Sequence, residues 1–324
     1  MIGASRWQRT AVAARRRVAT GRRRSTVAGH RLAAGWQRLR SRYPWLDHLH
    51  RAHARYQRVD GRRLAAAVAF YAFFAAFALG LLGFAVLGFV LDEPAVDRSV
   101  QRFLTEHLPR MDTQGLREAR GAAGLIALVS LPVIGLLWMD SLRSSVRAVW
   151  RVEEYPGRFV VRWLLDLLAL AGLGLLLVVS LSVAFGAEAL LDRLVAVVGG
   201  GDLAPARWTL AATRFVLGLA VNLLLSIAML TLVPRLRMPP RRVLAPALLI
   251  TGGLELLTSL GRLVVARAEA NPAFQVVTGA AGLLVFLLIL NRLILFAAAL
   301  AATGDGGQVR DLATGQNLRT GPPP

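Results

Sequence analysis

The sequence predicts an all-α polytopic membrane protein, a six-transmembrane-helix bundle preceded by a basic amphipathic N-terminal arm. Three observations predict this fold class. The 324 residues are 55% hydrophobic and only 18% charged, whereas soluble domains contain about a quarter charged residues. The apolar residues form blocks that suit helices of about 20 residues, the length that crosses a hydrocarbon core of roughly 30 Å. The positive charge is concentrated before the first block.

The net charge of +20 belongs mainly to the N-terminal arm. All 39 basic residues are arginine. Residues 1–63 hold 17 arginines against 2 acidic residues, and the rest of the chain holds 22 arginines against 17 acidic residues. Residues 1–30 carry arginine runs without any apolar period, which predicts a disordered basic tail.

Residues 31–63 are predicted to form an amphipathic interfacial arm. Leu32, Trp36 and Leu39 lie on one face of a short helix, and the same spacing resumes after Pro44 with arginines opposite. Such helices lie in the membrane interface, where anionic lipid attracts each basic residue by about 1 kcal/mol. We therefore expect membrane lipids as partners, with anionic lipid at the arm. Nucleic acid is the other polyanion that arginine runs bind, and we do not expect it next to a membrane span.

Six apolar blocks follow the arm, and the remainder is a short polar tail. We place the transmembrane helices at 64–91, 121–150, 159–185, 208–234, 243–266 and 274–302, and a disordered cytoplasmic tail at 303–324. Arginines cluster before the first helix, between the second and third, and between the fourth and fifth, whereas the alternate loops are neutral or acidic. Because arginine favours the cytoplasmic side, both termini are predicted to be cytoplasmic.

Small residues form a stripe along the first predicted span. They recur at steps of three and four, at Ala65, Ala69, Ala72, Ala76, Gly80 and Gly83. A stripe of this kind lets helices approach closely in lipid, which predicts a helix-packing seam. Alanine is abundant in this chain, so chance could supply part of the stripe.

Four segments resemble the BrkB/YihY-like family of bacterial inner-membrane proteins, once misnamed ribonuclease BN. They are DGRRLAAAVAFYAFFAA at 60–76, LWMDSLRSSVRAVWRVEEYPGRF at 137–159, the proline-led helix with Gly252-Gly253 at 238–267, and NPAFQVVTGAAGLLVFLLILNRLILFAAALAA at 271–302. The resemblance implies a multi-pass protein of the bacterial cytoplasmic (inner) membrane that is associated with the envelope or takes part in transport.

We predict no enzyme, no cofactor and no metal site. The chain has no cysteine, which excludes a thiolate nucleophile or a sulfur-based zinc cluster. His48, His50 and His53 are close in sequence, but they lie among arginines that would repel a cation. Gly199-Gly200-Gly201 is not followed by the Lys-Ser or Lys-Thr of a phosphate-binding loop.

Polar and ionisable residues within the spans are the candidates for a substrate or proton pathway, because charge is costly in lipid. Glu255 lies near the centre of the fifth span, Arg292 and Asn291 lie on the sixth, and Arg214 and Asn222 lie on the fourth. Two interpretations stay open. Glu255 and Arg292 could form a structural ion pair, or Glu255 could serve the pathway.

Asp140 and Asp166 lie near span ends, where Arg143 and Arg162 are suitable local partners. They are therefore predicted to form structural ion pairs.

Two functions stay open for the protein. The first is transport or accommodation of an amphipathic anionic envelope component, and the alternative is a non-transporting scaffold for envelope assembly. A second copy of the chain or envelope proteins are the further partners to expect.

The predicted topology is tested with reporter fusions. We expect cytoplasmic signals after Arg158, Arg242 and Gly306, and external signals near Gln114 and Gly200, because arginine-rich loops stay inside. Fusions at 114 and 158 that report the same side would contradict the six-helix prediction.

Overall fold

The computed structural model describes residues 42–90, 113–176, 204–268 and 272–318. The predicted tail 1–30, the arm before residue 42, the end of the third predicted span at 177–185 and residues 319–324 lie outside the described residues. The chain divides into two compact units, Met1–Arg51 and Ala52–Pro324. In the first, Arg51 lies 3.4 Å from Asp47 one helical turn earlier. The spans and the candidate site lie in the second.

Helices make up most of the described chain, so the predicted all-α class is confirmed as mostly helical, with one small sheet besides. They are α1 (Pro44–Arg58), α2 (Gly61–Val90), α3 (Thr113–Trp150), α4 (described over Phe159–Leu176), α5 (Ala204–Thr231), α6 (Pro240–Ala268) and α7 (Pro272–Ala302). The second predicted helix of the arm corresponds to α1, and its position at the membrane interface stays a prediction.

Five of the described helices contain segments long and apolar enough to cross a membrane, judged by length and composition. These segments are Gly61–Leu82, Gly124–Trp150, Phe159–Leu176, Pro240–Leu263 and Gly279–Ala302. A shorter apolar segment, Phe215–Thr231, lies within α5, where the fourth span is predicted. Multiple candidate spans are thus confirmed, and the count of six stays a prediction.

The chain turns from α1 into α2 at Asp60. This residue adopts a left-handed backbone conformation with a φ of 51°, which aspartate tolerates better than most residues. Its carbonyl accepts hydrogen bonds from the N–H groups of Arg63 at 2.8 Å and Leu64 at 3.2 Å, which begins α2. Gly61 follows because a Cβ there would collide with the ring of Tyr56.

α2 packs against α3 and α7. The first three residues of the predicted small-residue seam are buried, namely Ala65, Ala69 and Ala72. Ala76 is half-buried, and Gly80 is exposed with open space around it. The surroundings of Gly83 lie outside the description. Close packing of small residues is therefore seen over the first turns of α2, consistent with association through small side chains.

The C-terminal segment is folded, which corrects the predicted disordered tail over residues 303–318. Three short antiparallel strands pair in the order β1-β2-β3, and they are β1 (Leu236–Arg237), β2 (Val309–Asp311) and β3 (Asn317–Leu318). Leu236 lies opposite Asp311, and Val309 lies opposite Leu318. Each strand has only two or three residues, and β1 lies about seventy residues before its partner. Strands this short show no alternating pattern from which they could be predicted.

Gly253 lies where α6 closely approaches a side chain of α7. A Cβ at this position would collide with the side chain of Leu293 on α7, whereas a Cβ at Gly252 would meet nothing within 4 Å. The two adjacent glycines therefore differ in packing while sharing the same helix.

We expect Gly253→Leu to destabilise the protein by about 2 kcal/mol, because overpacking a close helix contact forces neighbouring side chains to move. Gly252→Leu is the matched control, since both changes remove a glycine from a helix interior and alter helix propensity equally. Thermal unfolding in detergent should show a lower midpoint for Gly253→Leu alone. Equal midpoints for the two variants would contradict this packing.

Candidate functional site

Among the described residues, three arginines are buried where α3, α5 and α7 end and α6 begins, a region that we call the sheet end. Arg143 and Arg147 are 0% exposed, and Arg242 is 4% exposed. A guanidinium carries five N–H donors, and a buried donor without a partner costs about 1–3 kcal/mol. The partners of these arginines therefore reveal their role.

Arg147 joins three separate parts of the chain. Its guanidinium holds Asp311 of β2 through two hydrogen bonds, of 2.7 Å and 3.1 Å. It also donates to the carbonyl oxygens of Glu153 at 2.6 Å and Pro234 at 2.8 Å. The end of α3, the turn after α5 and the small sheet are thus fixed to one side chain.

Asp311 is 1% exposed and also accepts a hydrogen bond from the Ala313 N–H at 2.9 Å. Burial by itself would raise the pKa of the Asp311 carboxyl. The hydrogen bonds from Arg147 and Ala313 oppose this and hold the pKa below its ordinary value. The carboxylate is therefore the favoured form in the folded protein.

Arg143 lies between two carboxylates. Its Nε donates to both oxygens of Asp166, at 3.1 Å and 3.2 Å, and its Nη2 pairs with Asp140. Its Nη1 donates to the Glu154 carbonyl oxygen at 2.8 Å. Arg143 thus connects α3 to α4 and to the turn between them.

Asp166 is shared between two arginines, because Arg235 also donates to it at 2.8 Å. The predicted local pair of Asp140 with Arg143 is present in the structure. The predicted partner Arg162 lies 3.9 Å from Asp140 instead, and Asp166 is paired with Arg143 and Arg235. The missed contact comes from the turn after α5, which local sequence spacing cannot identify.

Arg242 stabilises the end of α7. It donates to the carbonyl oxygens of Ala301 at 2.7 Å, Ala302 at 3.1 Å and Gly307 at 2.9 Å. Its guanidinium also lies over the ring of Trp150, 5.3 Å from the centroid. The last carbonyls of a helix lack intrahelical partners and carry partial negative charge, so a cation suits this position.

The three buried arginines are therefore occupied by acceptors of the chain itself. Their contacts hold helix ends and turns together, and no donor group is directed at a pocket by these contacts. The sheet end is a structural cluster, and a binding function has to be sought among the other charged residues.

Glu255 belongs to a short polar ladder between α5 and α6, defined by Asn222, Ser226, Thr251 and Glu255. The Asn222 side-chain amide donates to the Glu255 carboxylate at 2.7 Å. One helical turn away, the hydroxyls of Ser226 and Thr251 lie 3.1 Å apart. Ser226 and Thr251 are buried, and Asn222 and Glu255 are half-buried. Hydrogen bonds of this kind join helices within a membrane.

Arg292 does not meet Glu255, so the predicted ion pair is not formed in the structure. Gly253 faces α7, and Glu255, two residues later, lies about 200° further round α6. The carboxylate consequently points towards α5 rather than α7. Arg292 precedes Leu293, the α7 residue that faces Gly253, and its own side chain is exposed. Among the described residues it makes no ion pair.

Arg292 lies on the side of α7 that faces Tyr56. The Phe296 ring, one turn later on α7, meets the Tyr56 ring edge-on with centroids 6.3 Å apart. Tyr56 is 6% exposed, and its hydroxyl has no hydrogen-bond partner among the described residues. Burial raises the pKa of Tyr56, and the positive charges of Arg292 and Arg62 act in the opposite direction. Two arginines thus lie near a buried hydroxyl.

The remaining candidates have different surroundings. Asn291 is 4% exposed and donates to the Leu287 carbonyl oxygen of its own helix at 2.8 Å. The Arg214 side chain lies outside the description, although its backbone is part of α5. Sequence reasoning missed Ser226 and Thr251, which lie one turn from Asn222 and Glu255 and could have been found by that spacing.

Comparisons with known proteins match most of the chain. A family model described as virulence factor BrkB matches residues 52–317. An uncharacterized protein of Dickeya dadantii is 29% identical over 291 residues, which cover 84% of this chain and 87% of that protein. The inner membrane protein YhjD of Escherichia coli is 27% identical over 282 residues, or 82% of each chain. No solved structure matches the chain. Every described candidate residue lies within the family match.

The pair of Arg147 and Asp311 is tested by Asp311→Asn. We expect a loss of about 3 kcal/mol near neutral pH, because an uncompensated guanidinium stays buried. The carboxylate contributes stability above its ordinary pKa of about 4, and this contribution is lost as the pH falls through its lowered folded-state pKa. The wild type and Asp311→Asn should therefore converge in thermal midpoint under acidic conditions.

Glu153→Gln is the control, because it removes the same charge from an exposed residue whose backbone carbonyl, rather than its carboxylate, contacts Arg147. It should melt like the wild type near neutral pH. A gap between wild type and Asp311→Asn that stays constant down to about pH 3 would contradict the assigned ionisation.

Proposed function

We propose that this chain, which belongs to the virulence factor BrkB family, moves or accommodates an amphipathic anionic component of the cell envelope. Membership rests on the match over residues 52–317 and confirms the resemblance in the sequence. The family match and the apolar helices make the chain an integral membrane protein. The name of the relative YhjD, together with these helices, supports an inner-membrane location.

We further propose six spans with both termini in the cytoplasm. The sixth span is α5, whose 28 residues have a length of about 42 Å, more than the hydrocarbon core of roughly 30 Å. An even number of spans brings both termini to one side. The arginine-rich segments before α2, after α3 and after α5 favour the cytoplasmic side for the sheet end.

The main support for transport is that Glu255 and Arg292 lie within apolar candidate spans but do not form an ion pair with each other. Had they formed an ion pair, a purely structural role would have explained both. Instead, Arg292 keeps an exposed cation at a depth where charge is costly. We assign Arg292 to contact with the anionic group of the transported component.

We assign Tyr56, whose hydroxyl feels the charge of Arg292, as a second donor. Its buried hydroxyl has no partner among the described residues, and the contact between Tyr56 and Phe296 brings it to the same side of α7. A phosphate or carboxylate could accept from both groups, as charge-assisted hydrogen bonds favour. Glu255, held by Asn222, is assigned to a proton that accompanies the movement.

The scaffold remains the alternative function. It is favoured by the sheet end, where the buried arginines bind only groups of the chain, and by the satisfied bond between Asn222 and Glu255. A scaffold needs these contacts for shape alone, so replacing Glu255 by a residue of the same shape would leave its function intact.

We also propose that anionic lipid, rather than nucleic acid, is the partner of the N-terminal arm, and that the chain is not an enzyme. The support is the position of α1 directly before the first candidate span. One arginine of α1 has a structural task, since Arg55 donates to the Val149 carbonyl oxygen of α3 at 2.8 Å.

The decisive variants are Glu255→Gln and Arg292→Gln, tested for complementation of a strain that lacks the gene. Gln at position 255 keeps an oxygen that can accept from Asn222, so we expect normal folding but failed complementation. Arg292→Gln should also fold and fail, because it removes an exposed cation without leaving a buried partner. Lipid extracts of the failing strains should show an accumulated anionic amphiphile.

Thr251→Val is the matched control, because it removes the hydroxyl of the neighbouring rung without removing an ionisable group. It should complement even if its thermal midpoint falls. Full complementation by both Glu255→Gln and Arg292→Gln, with unchanged lipid extracts, would refute the transport proposal and leave the scaffold.

A further inference from the structure

A pocket of about 420 Å³ opens beside β1, between the end of α5 and the start of α6. Its lining is mainly apolar and includes Ile227, Leu232, Met238, Val243, Leu244 and Leu312. Its volume falls within the range of roughly 300–1,000 Å³ that is usual for small-molecule sites. Three of its leucines are exposed, with Leu232 at 58%, Leu244 at 48% and Leu312 at 57%. Such a surface suits a hydrocarbon chain.

An arginine pair of the small sheet lies beside this pocket. Arg237 lines it, and Arg310 is the direct cross-strand partner of Arg237 in the small sheet. Both side chains are exposed, and residues directly opposite each other in a ladder point to the same face. Asn317 is paired with Arg310 in turn, which places an amide beside the arginines.

Within the described part of the chain, this arginine pair has no counter-charge. Like charges directly opposite each other destabilise a strand pair, and among the described residues neither Arg237 nor Arg310 forms an ion pair. The buried arginines of the sheet end, by contrast, are hydrogen-bonded to acceptors of the chain itself. An anion between the two guanidinium groups would remove the repulsion and accept from both.

The pocket also lies at the boundary of a candidate span. Pro240 lines it and is the first residue of Pro240–Leu263. Lipid headgroups lie at this level when the helix crosses the membrane, and acyl chains lie just beyond it. The apolar pocket therefore matches the acyl chain of a lipid, and the adjacent arginines match its phosphate.

We propose that this pocket binds an anionic glycerophospholipid, with an acyl chain against Leu232, Leu244 and Leu312 and the phosphate between Arg237 and Arg310. The site is distinct from Glu255, which lies 18 residues beyond Arg237 on the chain. It requires that the protein lies in a membrane, and it holds whether the protein transports or acts as a scaffold.

Binding is measured with the purified full-length protein in detergent, by counting bound lipid with native mass spectrometry during titration. We expect phosphatidylglycerol to bind more tightly than phosphatidylcholine. Arg237→Gln and Arg310→Gln should each weaken phosphatidylglycerol binding about fivefold, the equivalent of about 1 kcal/mol per basic residue. Leu244→Trp should also weaken it by filling the pocket. Arg158→Gln is the control, because it removes the same charge from an exposed position in the turn before α4.

Three results would overturn the proposal. They are equal binding of the two lipids, an equal loss in Arg158→Gln, and displacement of phosphatidylglycerol by millimolar inorganic phosphate with no effect of Leu244→Trp. The last result would identify a site for free phosphate. Failed complementation by Glu255→Gln is independent of all three, so this site and the transport proposal fail separately.

Thermal unfolding provides a second readout that does not depend on counting lipid. In lipid-free detergent, Arg310→Gln should melt at the wild-type temperature or above it, because it removes a repulsion. Added phosphatidylglycerol should raise the midpoint of the wild type more than that of Arg310→Gln. A lower midpoint for the lipid-free variant, or equal gains with lipid, would contradict the site.

Discussion

A guanidinium group that is removed from solvent needs an acceptor for each of its donors, and this requirement organises the sheet end. Arg147 and Arg242 are directed at carbonyl groups where helices and turns end, which are the backbone acceptors that helical hydrogen bonding leaves free. Asp311 completes the set around Arg147 and thereby fixes β2. The C-terminal segment is consequently part of the fold, because a buried arginine on α3 depends on it.

The helical part of this structure was readable from the sequence, since a membrane-spanning helix must be long and apolar whatever its neighbours are. The small-residue stripe was readable only in part, because Ala65 and Ala69 meet a neighbouring helix whereas Gly80 faces open space. The family resemblance was also correct, and the family match over residues 52–317 contains all four segments on which it rested.

The contacts between distant segments could not be predicted from the sequence. The pair of Arg147 and Asp311 spans 164 residues, and the strands that support it are too short to produce a pattern. The predicted ion pair of Glu255 with Arg292 was wrong because the rotation of each helix about its axis was unknown. The depth of a residue along a helix can be counted from the sequence. The direction of its side chain depends on which residues face the neighbouring helix. Gly253 takes the face towards α7, and Glu255 is therefore directed at α5.

Two groups among the described arginines thus have different surroundings. Those of the sheet end are buried and satisfied by the chain, so they stabilise the fold. Arg292, Arg237 and Arg310 are exposed and have no ion pair within the described residues, so they are available to anionic ligands. The first group holds helix ends and turns together, and the second carries the anion-binding roles that we propose.

A double-mutant cycle between Glu255 and Arg292 tests this division most directly. The unfolding free energy is measured for the wild type, Glu255→Gln, Arg292→Gln and the double variant. Separate roles predict additive effects within about 0.5 kcal/mol, because the two side chains share no contact. A favourable coupling of about 2 kcal/mol or more would show that the two charges stabilise each other, and it would contradict the account.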